Sequence, residues 1–303
     1  MSDRVWLASY PKSGSTWLRM LIGCLSWPEG KPLDINTALS HGGLASDRMA
    51  FDNVLMIDSG LLTLDEIDCL RPRLYEELRR MDEFDDEPGA PPAAFVKVHD
   101  AYTQSPLGEP LLAGAGGARG AILMVRDPRD IAASLANHAR SSIDEAIDFM
   151  NDEKSAFCRV TDRQPVQLRQ QLSGWSRHYA SWIGQRDIPV HLLRYEDLKR
   201  DTAGTLRAAM GFAGWAVAQG AAERAAALAD FARLQSAERK TGFVEWRTHE
   251  ASGRLFFRRG EAGAWTDELT PQQAARIEAS HGPTMERLGY RLTTMSRQEG
   301  SGG

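Results

Sequence analysis

The segment that most constrains the fold is Tyr10-Pro11-Lys12-Ser13-Gly14-Ser15-Thr16-Trp17, set between a short apolar run, Val5 to Ala8, and a helical pattern, Leu18 to Leu25. A strand that runs through a Gly/Ser turn into a helix leaves the first helical N–H groups unpaired and aimed at one point, which makes an anion site. The turn is not a Walker A loop: no Gly-x-x-x-x-Gly-Lys-Ser/Thr occurs, and Lys12 precedes the glycine. A phosphate-bearing ligand is expected there, and ATP is disfavoured.

Three further apolar runs, Ala94 to Val98, Ala121 to Val125 and Val190 to Leu193, each precede a helix-start signal. Strands alternating with helices imply βαβ units and a parallel sheet covered on both faces. Ligands of such sheets bind at the carboxyl ends of the strands. The expected fold is therefore α/β, a three-layer domain over residues 1–295 with a central parallel sheet and a P-loop-like nucleotide site. Residues 27–92 form a helical insertion on the acceptor side, periodic around Leu61 to Leu78 and closing on an acidic run, Asp82 to Glu87. Gly108 to Gly120 reads as a surface loop, and 296–303 as a flexible tail.

Composition removes several classes. The net charge of −5 gives no basic field for nucleic acid. Cys24, Cys69 and Cys158 lack zinc or disulfide spacing, and no metal motif is present. No stretch approaches the ~20 apolar residues of a membrane span, and the first residues lack an apolar signal core, so a cytoplasmic protein is expected.

Four other places carry chemistry. Arg126-Asp127-Pro128 closes the third strand, with Asp127 suited to an N-cap and Pro128 to the first helical position, so a second strand-to-helix anion site is implied. The planar fork of Arg126 suits phosphate oxygens. Lys97 and His99 lie two residues apart at the end of the second strand and so point the same way. Arg258, Arg259 and Gly260 join two cations to a backbone that can approach an anion. Tyr195-Glu196-Asp197 follows the fourth strand as a helix start.

Together these strings resemble the PAPS-dependent sulfotransferases, where PAPS is 3′-phosphoadenosine 5′-phosphosulfate. The resemblance implies that Lys12 touches the phosphosulfate, that Ser13, Gly14, Ser15 and Thr16 wrap the 5′-phosphate, and that Trp17 lies against adenine. It implies that Arg126 and Ser134 bind the 3′-phosphate, covered by Arg258, Arg259 and Gly260, and that Tyr195 approaches the adenine edge. His99 would be the general base, and Lys97 would contact the sulfuryl group. Ala264 departs from the acid common in the family. The stretch 266–274 lacks the dimerisation signature of many animal members, so no oligomeric state follows. PAPS would be the donor, PAP the product, no metal is expected, and the acceptor would be a small or medium-sized hydroxyl or amine compound. Trp27, Phe51, Phe149 and Phe157 are candidate acceptor lining. Phe231 is read as a core residue, with lining of the adenine pocket by loose analogy to the family as the alternative, and the histidines other than His99 (His41, His138, His178, His191, His249 and His281) are read as structural or surface groups. Two alternatives stay open: a P-loop-like kinase or phosphotransferase, and a non-catalytic nucleotide-bisphosphate sensor.

Overall fold

The computed structural model describes residues 3–39, 43–82, 91–160, 163–246 and 255–293. Four parallel strands form the central sheet: β1 (Arg4–Ser9), β2 (Ala94–Val98), β3 (Gly120–Val125) and β4 (Val190–Arg194), in the order β2-β1-β3-β4. The inner strands β1 and β3 are buried along their whole length, as the apolar runs Val5 to Ala8 and Ala121 to Val125 require.

Side chains alternate between two apolar layers. Trp6, Ala8, Val96, Val98, Leu123 and Val125 join one core; Val5, Leu7, Phe95, Ile122, Met124 and Leu193 join the other. The first face is covered by α2 (Leu64–Met81), α3 (Pro128–Ala139) and α6 (Pro271–Arg287), through Leu74, Tyr75, Ile131 and Ile277 among others. The second is covered by α1 (Ser15–Leu25), whose Leu18, Leu21, Ile22 and Leu25 are buried, and by α5 (Phe231–Thr241) through Leu234. A short helix, α4 (Tyr195–Arg200), follows β4 directly. The α/β three-layer expectation therefore describes the chain.

Within residues 27–92 helices alternate with turns and extended stretches: Ile35–Ala38, Arg48–Leu55 and the longest, α2, which starts with a Thr63/Glu66 capping box, a motif worth about 1 kcal/mol. The insertion returns along the edge of the sheet: Lys97 N–H donates to the Gly43 carbonyl at 3.0 Å and Ala45 N–H to the Lys97 carbonyl at 2.9 Å. This brace places Leu44 beside the active end of β2. Trp27 and Phe51 are buried in the two cores instead of lining a pocket, a correction to the acceptor expectation. Gly108 to Gly120 is more ordered than a surface loop, because Leu111 and Leu112 are buried and Gly114–Gly117 makes a helical turn. The tail 296–303, most of the acidic run, His41 and His249 lie outside the described residues.

Candidate active site

The β1–α1 turn is built for an anion. Gly14 caps α1 with φ 103°, and a Cβ there would lie 2.7 Å from the Tyr195 ring, so backbone sign and space both demand glycine. No side chain caps this helix, which leaves its first-turn amides open beside Ser15 and Thr16. Lys12 has φ 69°, a strained conformation for a residue with a Cβ, at the point where its side chain turns into the cavity. Ser13 behaves differently from the other loop residues. Its hydroxyl is buried and donates to Tyr179 Oη at 3.0 Å, Tyr179 in turn donating to the Met124 carbonyl, and its N–H is bonded to the Tyr10 carbonyl. Ser13 therefore braces the loop from behind and does not line the cavity.

Lys12 Nζ lies 4.4 Å from the centre of the Phe256 ring and 5.6 Å from that of Trp246. Burial, reinforced by the neighbouring Lys97 charge, pushes its ammonium down to about 7. Lys97 Nζ stands 3.7 Å from Glu245 Oε2 and is also lowered, mainly by burial. Burial raises the Glu245 carboxyl, but the charges of Lys97 and Arg19 and the donated bonds of Arg19 and Thr16 reverse this and hold it at about 2. One carboxylate thus ties the first turn of α1 to the end of β2.

The sign of the Lys12 shift gives a pH dependence. Below about 7 the free protein already carries the ammonium that an anion needs; above it, binding must take up a proton. PAP affinity is therefore expected to fall by up to tenfold per pH unit above about 7, until the bound-state value is passed. Calorimetry at pH 8 in two buffers of different ionisation enthalpy should read an uptake approaching one proton. Release of protons, or none exchanged, would contradict the shift.

His99 follows β2, and its Nδ1–H donates to the Ser9 carbonyl at 2.8 Å, with Ser9 Oγ at 3.2 Å. A carbonyl can only accept, so Nδ1 carries the hydrogen and Nε2 is left with its lone pair. Burial, and then Lys97, push the imidazole well below its ordinary value, so it is neutral at physiological pH. Its basicity is lower than the unperturbed value near 6.5 that the sequence suggested.

The third corner joins β3 and α3. Asp127 caps α3 by accepting from Arg129 N–H, and Pro128 occupies its first turn, as expected. Arg126 stacks 4.3 Å above the Tyr195 ring and donates to the carbonyls of Lys12 (3.3 Å) and Glu261 (2.9 Å). Its buried Nε–H has no acceptor among the described residues, a vacancy that an anionic oxygen would fill. Trp17 is fixed by donation to the Ala229 carbonyl and meets Tyr195 edge-on at 5.7 Å. Ser134 lies one helical face further along α3 and also lines the cavity.

Arg258 and Arg259 border the same space but are ion-paired, Arg258 with Glu268 and Arg259 with Glu261, Asp267 and Glu268. A ligand phosphate must compete with those carboxylates. Gly260 has φ 65°, and a Cβ there would come 2.1 Å from Phe231. Phe231 itself lines the cavity instead of sitting only in the core, a second correction.

Lys12, Gly14, Ser15, Thr16, Trp17, Lys97, His99, Arg126, Ser134, Tyr195, Arg258, Arg259 and Gly260 thus border one cavity of about 540 Å³. Among the described residues no group of three or more His, Cys, Asp or Glu is placed to hold a metal. The sulfotransferase domain family model matches residues 121–289, more than half of the chain.

The chain belongs to the sulfotransferase family. It is 24% identical over 286 residues to flavonol 3-sulfotransferase of Flaveria bidentis, covering 90% of this chain and 79% of that enzyme. It is 28% identical over 202 residues to luciferin sulfotransferase of Photinus pyralis, covering 66% of this chain; the chain spans about half of that relative, 48%. The same fold occurs in retinol dehydratase, solved with androsterone and the inactive cofactor PAP, at TM-score 0.58 and 17% identity over 96% of this chain and 83% of the other. It occurs again in mouse sulfotransferase SULT7A1 complexed with PAP, at TM-score 0.56 and 19% identity over 94% and 85%. Membership sets aside the phosphotransferase alternative.

Several residues of this sulfotransferase site escaped the sequence reading. Glu245, Gln167 and Gln170 line the cavity, and Trp246 and Arg19 meet its Lys12 and Glu245; none of the five belongs to a recognisable motif. Arg19 alone left a trace, since it lies on the apolar stripe of α1 and a charge there must find a partner.

Proposed function

We propose that the chain moves the sulfuryl group of PAPS to a hydroxyl or amine of a small or medium-sized acceptor, with His99, Lys12 and Lys97 around the reacting atoms. The observation that carries this reading is the single cavity bordered by Lys12, His99, Arg126 and Arg258. His99 Nε2 takes the acceptor's proton as the acceptor atom bonds to sulfur; the bond from sulfur to the bridging oxygen breaks, and PAP leaves. Negative charge appears on the 5′-phosphate beside Lys12 and the open amides of α1, an interaction that strengthens toward the transition state. Lys97 neutralises the sulfuryl oxygens. Arg126, Ser134, Arg258, Arg259 and the backbone at Gly260 hold the 3′-phosphate; Trp17 and Tyr195, with Phe231, border the adenine.

Relatives named for luciferin and a flavonol support an acceptor of modest size. The apolar side chains Leu44, Phe157 and Val244 in the lining fit the same class. No helix among the described residues is long and apolar enough to cross a membrane, and two relatives from Arabidopsis thaliana carry the name cytosolic sulfotransferase, which supports a cytoplasmic location.

A thermal-shift panel of PAP, PAPS, ATP and ADP tests the nucleotide side. PAP at 100 times its Kd should stabilise by about 2.7 kcal/mol and raise Tm by several degrees. Arg126→Ala and Arg258→Ala should lose most of that shift while responding as before to adenosine 5′-phosphate, which lacks the 3′-phosphate. Equal losses for both ligands would remove the 3′-phosphate assignment. Transfer of label from [35S]PAPS to an acceptor panel then separates an enzyme from a nucleotide sensor.

A further inference from the structure

The cavity is also lined by two carboxamides that the mechanism above does not use, Gln167 and Gln170. Backbone pairing brings both to the reacting end. Ala101 N–H donates to the Gln171 carbonyl at 2.6 Å, which ties the turn after His99 to the short strand Gln170–Gln171. Gln167 bridges to Asp47 and is followed by a Leu168 N–H bond to the Ser46 carbonyl, on the segment whose Leu44 lies against Lys97.

Gln170 is only 3% exposed. Its Nε2 donates to Gln167 Oε1 at 2.7 Å, and the same oxygen accepts from Ser46 Oγ at 3.2 Å. Among the described residues nothing donates to Gln170 Oε1, and Gln167 Nε2 has no acceptor. Both residues line the cavity, so the free Gln170 Oε1 and Gln167 Nε2 are available to a ligand group that enters it. The surroundings are apolar, Leu44, Phe157, Val166 and Val244, with Glu245 beside Lys97.

We propose that Gln170 and Gln167 recognise a second hydroxyl of the acceptor, so that the preferred substrates are uncharged diols on an apolar body. One hydroxyl can donate to Gln170 Oε1 and accept from Gln167 Nε2 together. An ammonium only donates. A carboxylate only accepts, so neither ion can satisfy both amide groups at once. The inference rests on the sulfotransferase reading for the reaction, though not for the contact itself.

The test compares 2,6-dihydroxynaphthalene with 2-naphthol on the full chain. Two readouts are taken: kcat/KM with saturating PAPS, and Kd for the protein–PAP complex by calorimetry. The wild type should favour the diol by about twentyfold in kcat/KM, of which about twofold is the statistical gain of two reactive hydroxyls. Gln170→Leu and Gln167→Leu should each lower the ratio about tenfold. Ratios unmoved by either variant, or a wild-type preference no larger than the statistical factor, overturn the proposal. If Gln170→Leu does not fold, the half-buried Gln167→Leu decides. If no label leaves PAPS at all, the sulfotransferase reading fails, yet the calorimetric ratio still decides this contact; absence of diol binding overturns it.

Discussion

Replacing His99 with alanine is expected to lower kcat by about 10² to 10⁴ while changing the Kd of PAP less than twofold. The size follows from the role: a positioned base removes a proton only as the new bond forms, so its loss falls on the chemical step. The separation from binding follows from geometry. His99 lines the cavity and is anchored through Nδ1 by Ser9, the last residue of β1, and it has no hydrogen bond to the loop Gly14 to Trp17 proposed for the 5′-phosphate. Because burial and Lys97 keep the imidazole of the free protein well below its ordinary value, the acid limb of kcat/KM should lie below the usual histidine range. Rate against pH and PAP titration of the variant check both statements. Parallel loss of binding and rate would make His99 structural, and a wild-type kcat/KM that halves near 6.5 would contradict the burial argument.

The parts of this site legible from sequence are those where one residue type is the only physical solution. Gly14 needs a positive φ and room for Tyr195; Asp127 and Pro128 begin α3 in a way few pairs can; unbroken apolar runs can only be buried strands. Each leaves a local signature that survives without the fold. The residues that escaped are set by long-range closure. Glu245 matters because it meets Thr16, Arg19 and Lys97 from more than a hundred residues away, and nothing near it in sequence marks it. Ser13 was misplaced for a related reason: the string puts it in the phosphate loop, but alternation turns its hydroxyl inward to Tyr179, on a helix whose position the string does not contain. Aromatic character alone suggests an acceptor role for Trp27 and Phe51, and a core satisfies it as well.

Lys12→Ala is expected to lower kcat by about 10² to 10³ and to weaken PAP several-fold less than that. The asymmetry comes from charge. The 5′-phosphate is bound in the ground state by open amides as well as by Lys12, so removing one donor leaves most of the affinity; the oxygen released from sulfur gains charge during the reaction and needs the ammonium most at that moment. The variant should also fold well. Burial and Lys97 lower the Lys12 ammonium from 10.5 to about 7, so the fold carries this charge at a cost below that range. Between about 7 and 10.5 the unfolded chain holds more protons at this residue than the folded one, so wild-type stability rises with pH there relative to Lys12→Ala. At neutral pH the variant should therefore match or exceed the wild type in Tm, which ties the cost of the buried ammonium to activity and not to stability. Lys12→Arg offers no rescue, because a planar guanidinium cannot take the place of a compact ammonium against Phe256. Single-turnover rates with PAPS, PAP affinities and melting curves at two pH values measure all three statements. An unchanged kcat with a raised KM for PAPS would reduce Lys12 to a ground-state anchor, and a large drop in Tm would show that its charge had been stabilising the loop after all.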